Sequence, residues 1–187
     1  MNEKKSSCGL SVQAVVATGI GIAIVFVLKR FVPIPTGVPN TTIDLGEAFL
    51  TFLAAIFGPA VGGLTAFFAH LFTDLSWGDP WWSWIIADAL FGFLIGYSRN
   101  LLKIKQEKLT TGKLVKFNVL QVVANILCWG VLAPLGDIWI YSQPAGKVFL
   151  QGVTATITNS LAIGIVATLL LIAYGKTQNQ DQKLTKE

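Results

Sequence analysis

The sequence predicts an all-α membrane protein of six transmembrane helices. Three observations carry that reading. Of 187 residues, 53% are hydrophobic and only 13% charged, with a mean hydropathy of +0.62; an ordinary soluble domain carries about 25% charged residues. The apolar residues form long unbroken runs, unlike the alternating segments of about ten residues in a transmembrane barrel. The basic residues gather in alternate gaps between those runs. At about 20 residues per crossing, the length accommodates five or six spans in one domain.

Residues 1–9 form a short polar tail with no cleavage pattern after it, so span one, residues 10–28, reads as a retained helix ending at Lys29-Arg30. Pro33, Pro35 and Pro39 then impose a stiff extended loop. Span two covers 45–57, and Gly58-Pro59 breaks it sharply from span three, 60–72. Both are short for a crossing, which suits tilted or partial helices. Span four covers 83–102, a lysine-rich segment follows, and span five covers 115–132. Pro134-Leu-Gly136-Asp137 reads as the opening of another loop, closing near Pro144-Ala-Gly146-Lys147. Span six covers 148–174, and the polar tail 175–187 reads as disordered.

Six spans place both termini on one side. With that side in the cytoplasm, eleven of the 14 basic residues lie inside, leaving Lys29, Arg30 and Lys147 outside. Asp44, Glu47, Asp74, Asp79, Asp88 and Asp137 fall near the outward ends. The positive-inside rule thus gives an N-in, C-in topology and accounts for the net charge of +4 without nucleic acid. Cys8 and Cys128 suggest no disulfide, and one His with two scattered Cys gives no metal set. Gly175-Lys176-Thr177 ends like a phosphate-binding loop, but the required earlier Gly is Leu170. Asn40-Thr-Thr42 matches a glycosylation sequon, a short pattern frequent by chance, and no Gly-x-Ser-x-Gly setting supplies a nucleophile.

The stretch from His70 to Asp88 interrupts the apolar sequence. It holds four of six tryptophans, the only histidine and three of ten acidic residues. Tryptophan favours the membrane boundary, and ionisable groups at a span's edge require a cause. His70 and Asp74 share a helix face at i, i+4. With Glu47 and Asp88 they bring four ionisable groups from three helices to one depth. These groups either line a ligand site or tie helices together, and Glu47 also suits a helix start. Asn125 and Trp129 in span five, with Gln151, Thr154, Thr158 and Asn159 in span six, either complete a pocket with Trp84 or bond helix to helix. Trp77, Trp81 and Trp82 read as surface anchors or a lid. Small residues at four-residue spacing (Ala17 and Gly21, Gly19 and Ala23, Gly58 and Gly62, Gly92 and Gly96) permit close helix contact. On span one, the stripe of Ala14, Thr18 and Gly21 serves either the bundle or an external helical partner.

Several phrases go further: Val38-Pro-Asn-Thr-Thr-Ile43, Ala48-Phe-Leu50, Ile56-Phe-Gly-Pro-Ala-Val-Gly62, and His70 through Pro80-Trp-Trp-Ser-Trp84. On these phrases, its size and its span pattern, the chain over about residues 10–174 resembles the S component, the substrate-binding subunit, of an energy-coupling factor vitamin transporter. The phrases are most similar to a subgroup associated with hydroxymethylpyrimidine or pyridoxine-type ligands. The resemblance implies an S-component-like bundle in the bacterial cell membrane, with no cofactor and no catalysis of its own. It implies high-affinity capture from outside, closure of the first loop and of the loop between spans five and six, and toppling of the whole subunit in the bilayer. It also implies docking through small residues of span one to a transmembrane coupling subunit driven by two cytoplasmic ATP-binding subunits. The family's Ala-x-x-x-Ala has no literal copy here; Ala17-x-x-x-Gly21 and Gly19-x-x-x-Ala23 come near it, and Ala14, Ala17, Thr18 and Gly21 are the docking candidates. Glu47, His70, Asp74, Trp84, Asp88, Asn125, Trp129, Gln151, Thr154 and Asn159 are the ligand-binding candidates. Two alternatives remain: a stand-alone proton-coupled transporter working through His70, Asp74 and Asp88, and an intramembrane enzyme using His70 with a carboxylate.

Overall fold

Ser11 caps the first helix by accepting a hydrogen bond from the Ala14 amide, and α1 runs Val12–Phe31. The computed structural model describes residues 10–184, with side chains as far as Gln178. The tail 1–9, which includes Cys8, and residues 185–187 lie outside the described residues. One stripe of α1, Ala17, Thr18, Gly21 and Val25, packs inward against α2 and α3, while Val15, Ile20 and Val27 stay exposed. The proline-rich loop is extended, as predicted, and closes into a two-stranded hairpin of β1 (Ile34–Pro35) and β2 (Thr42–Ile43).

Asp44 caps α2 (Leu45–Phe57) through the amides of Gly46 and Glu47. Gly58 ends it at φ +99°, a conformation glycine adopts without a side-chain clash, and Pro59 begins α3 (Pro59–Trp77). Helix therefore extends five residues beyond the predicted end of span three at 72, with only a short turn before α4 (Trp82–Gly96) and α5 (Ser98–Leu102). A Cβ on Gly62 would strike the backbone of Gly92, so α3 and α4 touch main chain to main chain. The small-residue spacing serves the bundle here.

The expectation of a loop at Pro134 fails. The chain is helical from α6 (Thr111–Asn125) through a π-helical stretch, Ile126–Leu132, into α7 (Ala133–Tyr141). Pro134 lacks an amide hydrogen, and its ring would collide with the carbonyl four residues back in a regular α-helix. The wide turn, in which the Ala133 amide bonds the Cys128 carbonyl, relieves that collision. A final rod joins α8 (Ala145–Ala162), a second π-helical stretch (Ile163–Ala167) and α9 (Thr168–Leu184). Helix therefore continues past Gly175, where composition predicted disorder. Nothing in the sequence of Ile163–Ala167 marks its wide turn.

Six helical rods result, matching the predicted order. Four of them, Val12–Phe31, Trp82–Leu102, Thr111–Tyr141 and Ala145–Gln178, are long and apolar enough to cross a membrane, and α2 is a shorter apolar helix. Leu150, Val153, Ile157, Leu161, Ile165 and Leu169 form an exposed apolar stripe along the last rod, the pattern of a lipid-facing helix.

Gly62→Ala is expected to lower the unfolding midpoint of the detergent-purified protein, although Ala gains roughly 1 kcal/mol over Gly at an ordinary helix position. Gly19→Ala, where a Cβ meets nothing within 4 Å, is expected to raise the midpoint or leave it alone. Parallel responses in thermal unfolding would refute the close α3–α4 contact.

Candidate ligand-binding site

The hairpin returns the chain so that the start of α2 abuts the end of α1. Gly46 permits the approach, since a Cβ there would lie 2.9 Å from Lys29 Cγ. The Lys29 ammonium enters a pocket of carboxylates. It lies 2.6 Å from Asp44 Oδ2, 3.2 Å from Asp88 Oδ2, and in direct contact with Glu47 Oε1. The Lys29 side chain is 6% exposed, and those of Glu47 and Asp88 are fully buried. His70 Nδ1 lies 2.8 Å from the same Asp88 oxygen, and His70 Nε2 lies 3.7 Å from Asp74 Oδ1. His70 Nδ1 and Asp88 Oδ2 thus share one hydrogen.

A second carboxylate organises the tryptophans. Buried Asp137 on α7 accepts from Trp81 Nε1 at 2.6 Å, from Trp84 Nε1 at 2.8 Å and from the Ser83 hydroxyl. The Trp81 amide donates to Asp74, and the Trp82 amide donates to the Tyr141 hydroxyl. Trp84 stacks on Trp129 with ring centres 5.5 Å apart, and His70 stacks on the same indole at 6.3 Å. At the mouth, the Gln151 side-chain amide donates to the Pro39 carbonyl at 2.8 Å, holding the hairpin to α8. The Arg30 guanidinium lies 4.0 Å from the Trp77 ring centre, a cation–π contact.

These groups enclose a cavity of about 600 Å³. Of the predicted ligand-binding residues, Glu47, His70, Asp74, Trp84, Trp129, Gln151 and Asn159 line it. Three others lie elsewhere. Asp88 sits behind the wall, where it holds Lys29 and His70. Asn125 is turned to Gln121. Thr154 bonds the Leu150 carbonyl of its own helix, as Thr158 does that of Thr154, a local back-bond that removes the hydroxyl from the pocket. Trp77 and Trp81 line the cavity rim. Of the docking candidates, Ala17, Thr18 and Gly21 are buried against the rest of the chain and Ala14 is half-buried; Gly19 and Ala23 are the small residues that α1 exposes.

Sequence reasoning passed over Lys29, Asp44 and Asp137 as site residues. The signals were present: carboxylates converging at one depth require a cation, and a run of tryptophans requires acceptors for its indole N–H groups. Among the described residues, buried Glu47 Oε2, Asn159 Oδ1 and Trp129 Nε1 have no hydrogen-bond partner.

An aromatic-walled, polar-floored cavity at one end of an apolar helical bundle defines a multi-pass membrane protein built to bind a small molecule. The chain belongs to the family described as ECF-type riboflavin transporter, S component, whose profile matches residues 9–176. It is accordingly a substrate-binding membrane subunit of an energy-coupling factor transporter and not an enzyme. The UPF0397 protein of Leuconostoc citreum is 49% identical over 188 residues, spanning all of both chains. That of Lactiplantibacillus plantarum is 48% identical over the same full length. The crystal structure of the S component for biotin from an ECF-type ABC transporter shares the fold, with a TM-score of 0.59 and 16% identity, covering 84% of this chain and 90% of that one.

Lys29→Met is expected to destabilise the protein by about 3–5 kcal/mol, because it strands buried carboxylates without their cation. Adding Glu47→Gln is expected to restore part of the loss. A double-mutant cycle in thermal unfolding checks this, and strictly additive effects would refute the coupling.

Proposed function

We propose that this subunit captures a small heteroaromatic vitamin or precursor, of the hydroxymethylpyrimidine or pyridoxine class, with high affinity from outside the bacterial cell membrane. The observation that carries the reading is the Trp84–Trp129 wall beside the unpartnered acceptors Glu47 Oε2 and Asn159 Oδ1 in one cavity. A flat ring gains from stacking on indole, and its ring nitrogens, amino groups and hydroxyls satisfy the acceptors. The charge of the lining separates ligands further. Asp44, Glu47, Asp74, Asp79 and Asp137 face the cavity against Lys29 and Lys147. Such a lining favours a ligand with a basic ring nitrogen or amino group, held by a charge-assisted bond. A flavin carries no strongly basic nitrogen.

The topology in this reading is N-in, C-in, with the cavity facing out. Transport energy comes from a transmembrane coupling subunit and two cytoplasmic ATP-binding subunits. The exposed Gly19-x-x-x-Ala23 face of α1 is the surface this reading assigns to docking, opposite the buried stripe that Ala14 shares with Ala17.

Titration of the purified chain, followed by tryptophan fluorescence, is expected to show quenching by hydroxymethylpyrimidine or pyridoxine at concentrations where riboflavin has no effect. The reverse ranking would move the ligand to the flavin class. Trp84→Ala is expected to weaken binding about 10-fold through lost stacking and burial, with the protein still monodisperse. Cells expressing this chain are expected to accumulate radiolabelled ligand only when the coupling module is co-expressed. Full uptake without it would replace this reading with a self-sufficient transporter.

A further inference from the structure

The opposite end of the bundle holds a second cavity, of about 190 Å³. Arg99, Lys103 and Lys105 line it, together with Asn100, Gln106 and Tyr174, and among the described residues no carboxylate does. The positive-inside rule accounts for basic residues in this segment. It does not require three of them to face one opening. The local fold brings them there. Lys103 takes a left-handed conformation, φ +46°, and its carbonyl accepts from the Gln106 and Glu107 amides. The chain thereby reverses at the end of α5, setting Lys103 and Lys105 around the space that Arg99 borders.

We propose that this cavity seats the phosphate of an anionic membrane lipid. Charge is the first support. The neighbouring carboxylate, Glu107, is engaged by Lys113 at 2.7 Å and lies 3.5 Å from Lys103. The Lys113 hydrogen bond holds the Glu107 carboxyl below its usual range; Glu107 is shared between Lys113 and Lys103 and stands outside the cavity lining. Arg99 Nη1 donates to the Phe57 carbonyl at the end of α2, using one of the guanidinium's five donors. Position is the second support. The cavity lies where α2 ends and α4 gives way to α5, and exposed Tyr97 is the residue between those two helices. Aromatic side chains of this kind mark the boundary where lipid phosphates lie. Buried Ala55, Ile56 and Ile104 form its apolar floor, which strengthens electrostatic attraction above it. Basic pockets between helices at an inner leaflet hold anionic headgroups by these means.

The test is native mass spectrometry of the full chain in detergent, titrated with phosphatidylglycerol or with phosphatidylcholine of the same acyl chains. Wild type is expected to retain phosphatidylglycerol preferentially. Lys103→Gln/Lys105→Gln is expected to reduce that preference about 25-fold, roughly fivefold per charge removed near an anionic surface. Lys103→Arg/Lys105→Arg is expected to keep it. The unfolding midpoint of each variant is expected to match wild type, which separates lost binding from lost folding. Equal retention of the two lipids, or full preference in the glutamine variant, overturns the proposal. Displacement of the lipid by millimolar inorganic phosphate reassigns the cavity to a free anion and also overturns it. Unchanged lipid preference with lost uptake in the glutamine variant assigns the surface to a protein partner instead.

Discussion

The rest of this structure depends on one buried ammonium group. Lys29, at the end of α1, holds Asp44 and Glu47 from the start of α2 and Asp88 from α4; through Asp88 it is linked to His70 on α3. Fully buried carboxylates that lack a full set of hydrogen-bond donors need a compensating charge. The requirement fixes how four helices stand relative to one another, since a slide of one turn, about 5.4 Å, would strand at least one charge. It also explains the hairpin. A loop stiffened by Pro33, Pro35 and Pro39 returns the chain so that Asp44 lands beside the lysine it must meet.

The cavity is held from its other side by chemistry of a different kind. Asp137 gathers neutral donors, two indole N–H groups and a serine hydroxyl. A carboxylate's two oxygens carry lone pairs enough to accept from all three donors. One wall is therefore set by an ion cluster and the other by a hydrogen-bonded aromatic array. His70 joins them, bonded to Asp88 and stacked on Trp129. The division has a chemical consequence. The array offers ring faces and one unpartnered indole N–H, that of Trp129, whereas the ion cluster has more carboxylates than cations and leaves Glu47 Oε2 without a partner.

Much of this was legible in the sequence because hydrophobic run length, Gly-Pro breaks and charge asymmetry are local signals. The helix order and the turn at Gly58-Pro59 follow from them; the small-residue spacing marks Gly62 and Gly92 for close contact without saying that they meet each other. Seven of the ten predicted ligand-binding residues line one cavity, because helical spacing places them at a common end. What was not legible depends on partners distant in sequence. Pro134 reads as a helix end unless a π-helical turn precedes it, and periodicity carries no sign of that turn. Thr154 shares a face with Gln151, yet its hydroxyl satisfies its own helix, a choice that spacing does not decide. The small residues of α1 occur on two faces, and only packing against α2 and α3 distinguishes Ala17 and Gly21 from Gly19 and Ala23. Lys29 read as a charge flanking the membrane because the carboxylates that require it lie 15, 18 and 59 positions away.

Helix α2 connects these constraints. It is only 13 residues long, about 20 Å, yet it touches helices on both sides of the bundle. Its cap and first turn carry Asp44 and Glu47, and its last carbonyl, that of Phe57, meets Arg99, with Lys105 over the ring of Phe57. Negative groups at a helix N-terminus and positive groups at its C-terminus both complement the helix dipole. The arrangement that makes one end of the protein acidic and the other basic is thus the one this central helix favours. A reversal of either end would oppose the dipole as well as the ion cluster. The acidic cavity and the basic cavity beyond it are in this sense two ends of a single electrostatic solution.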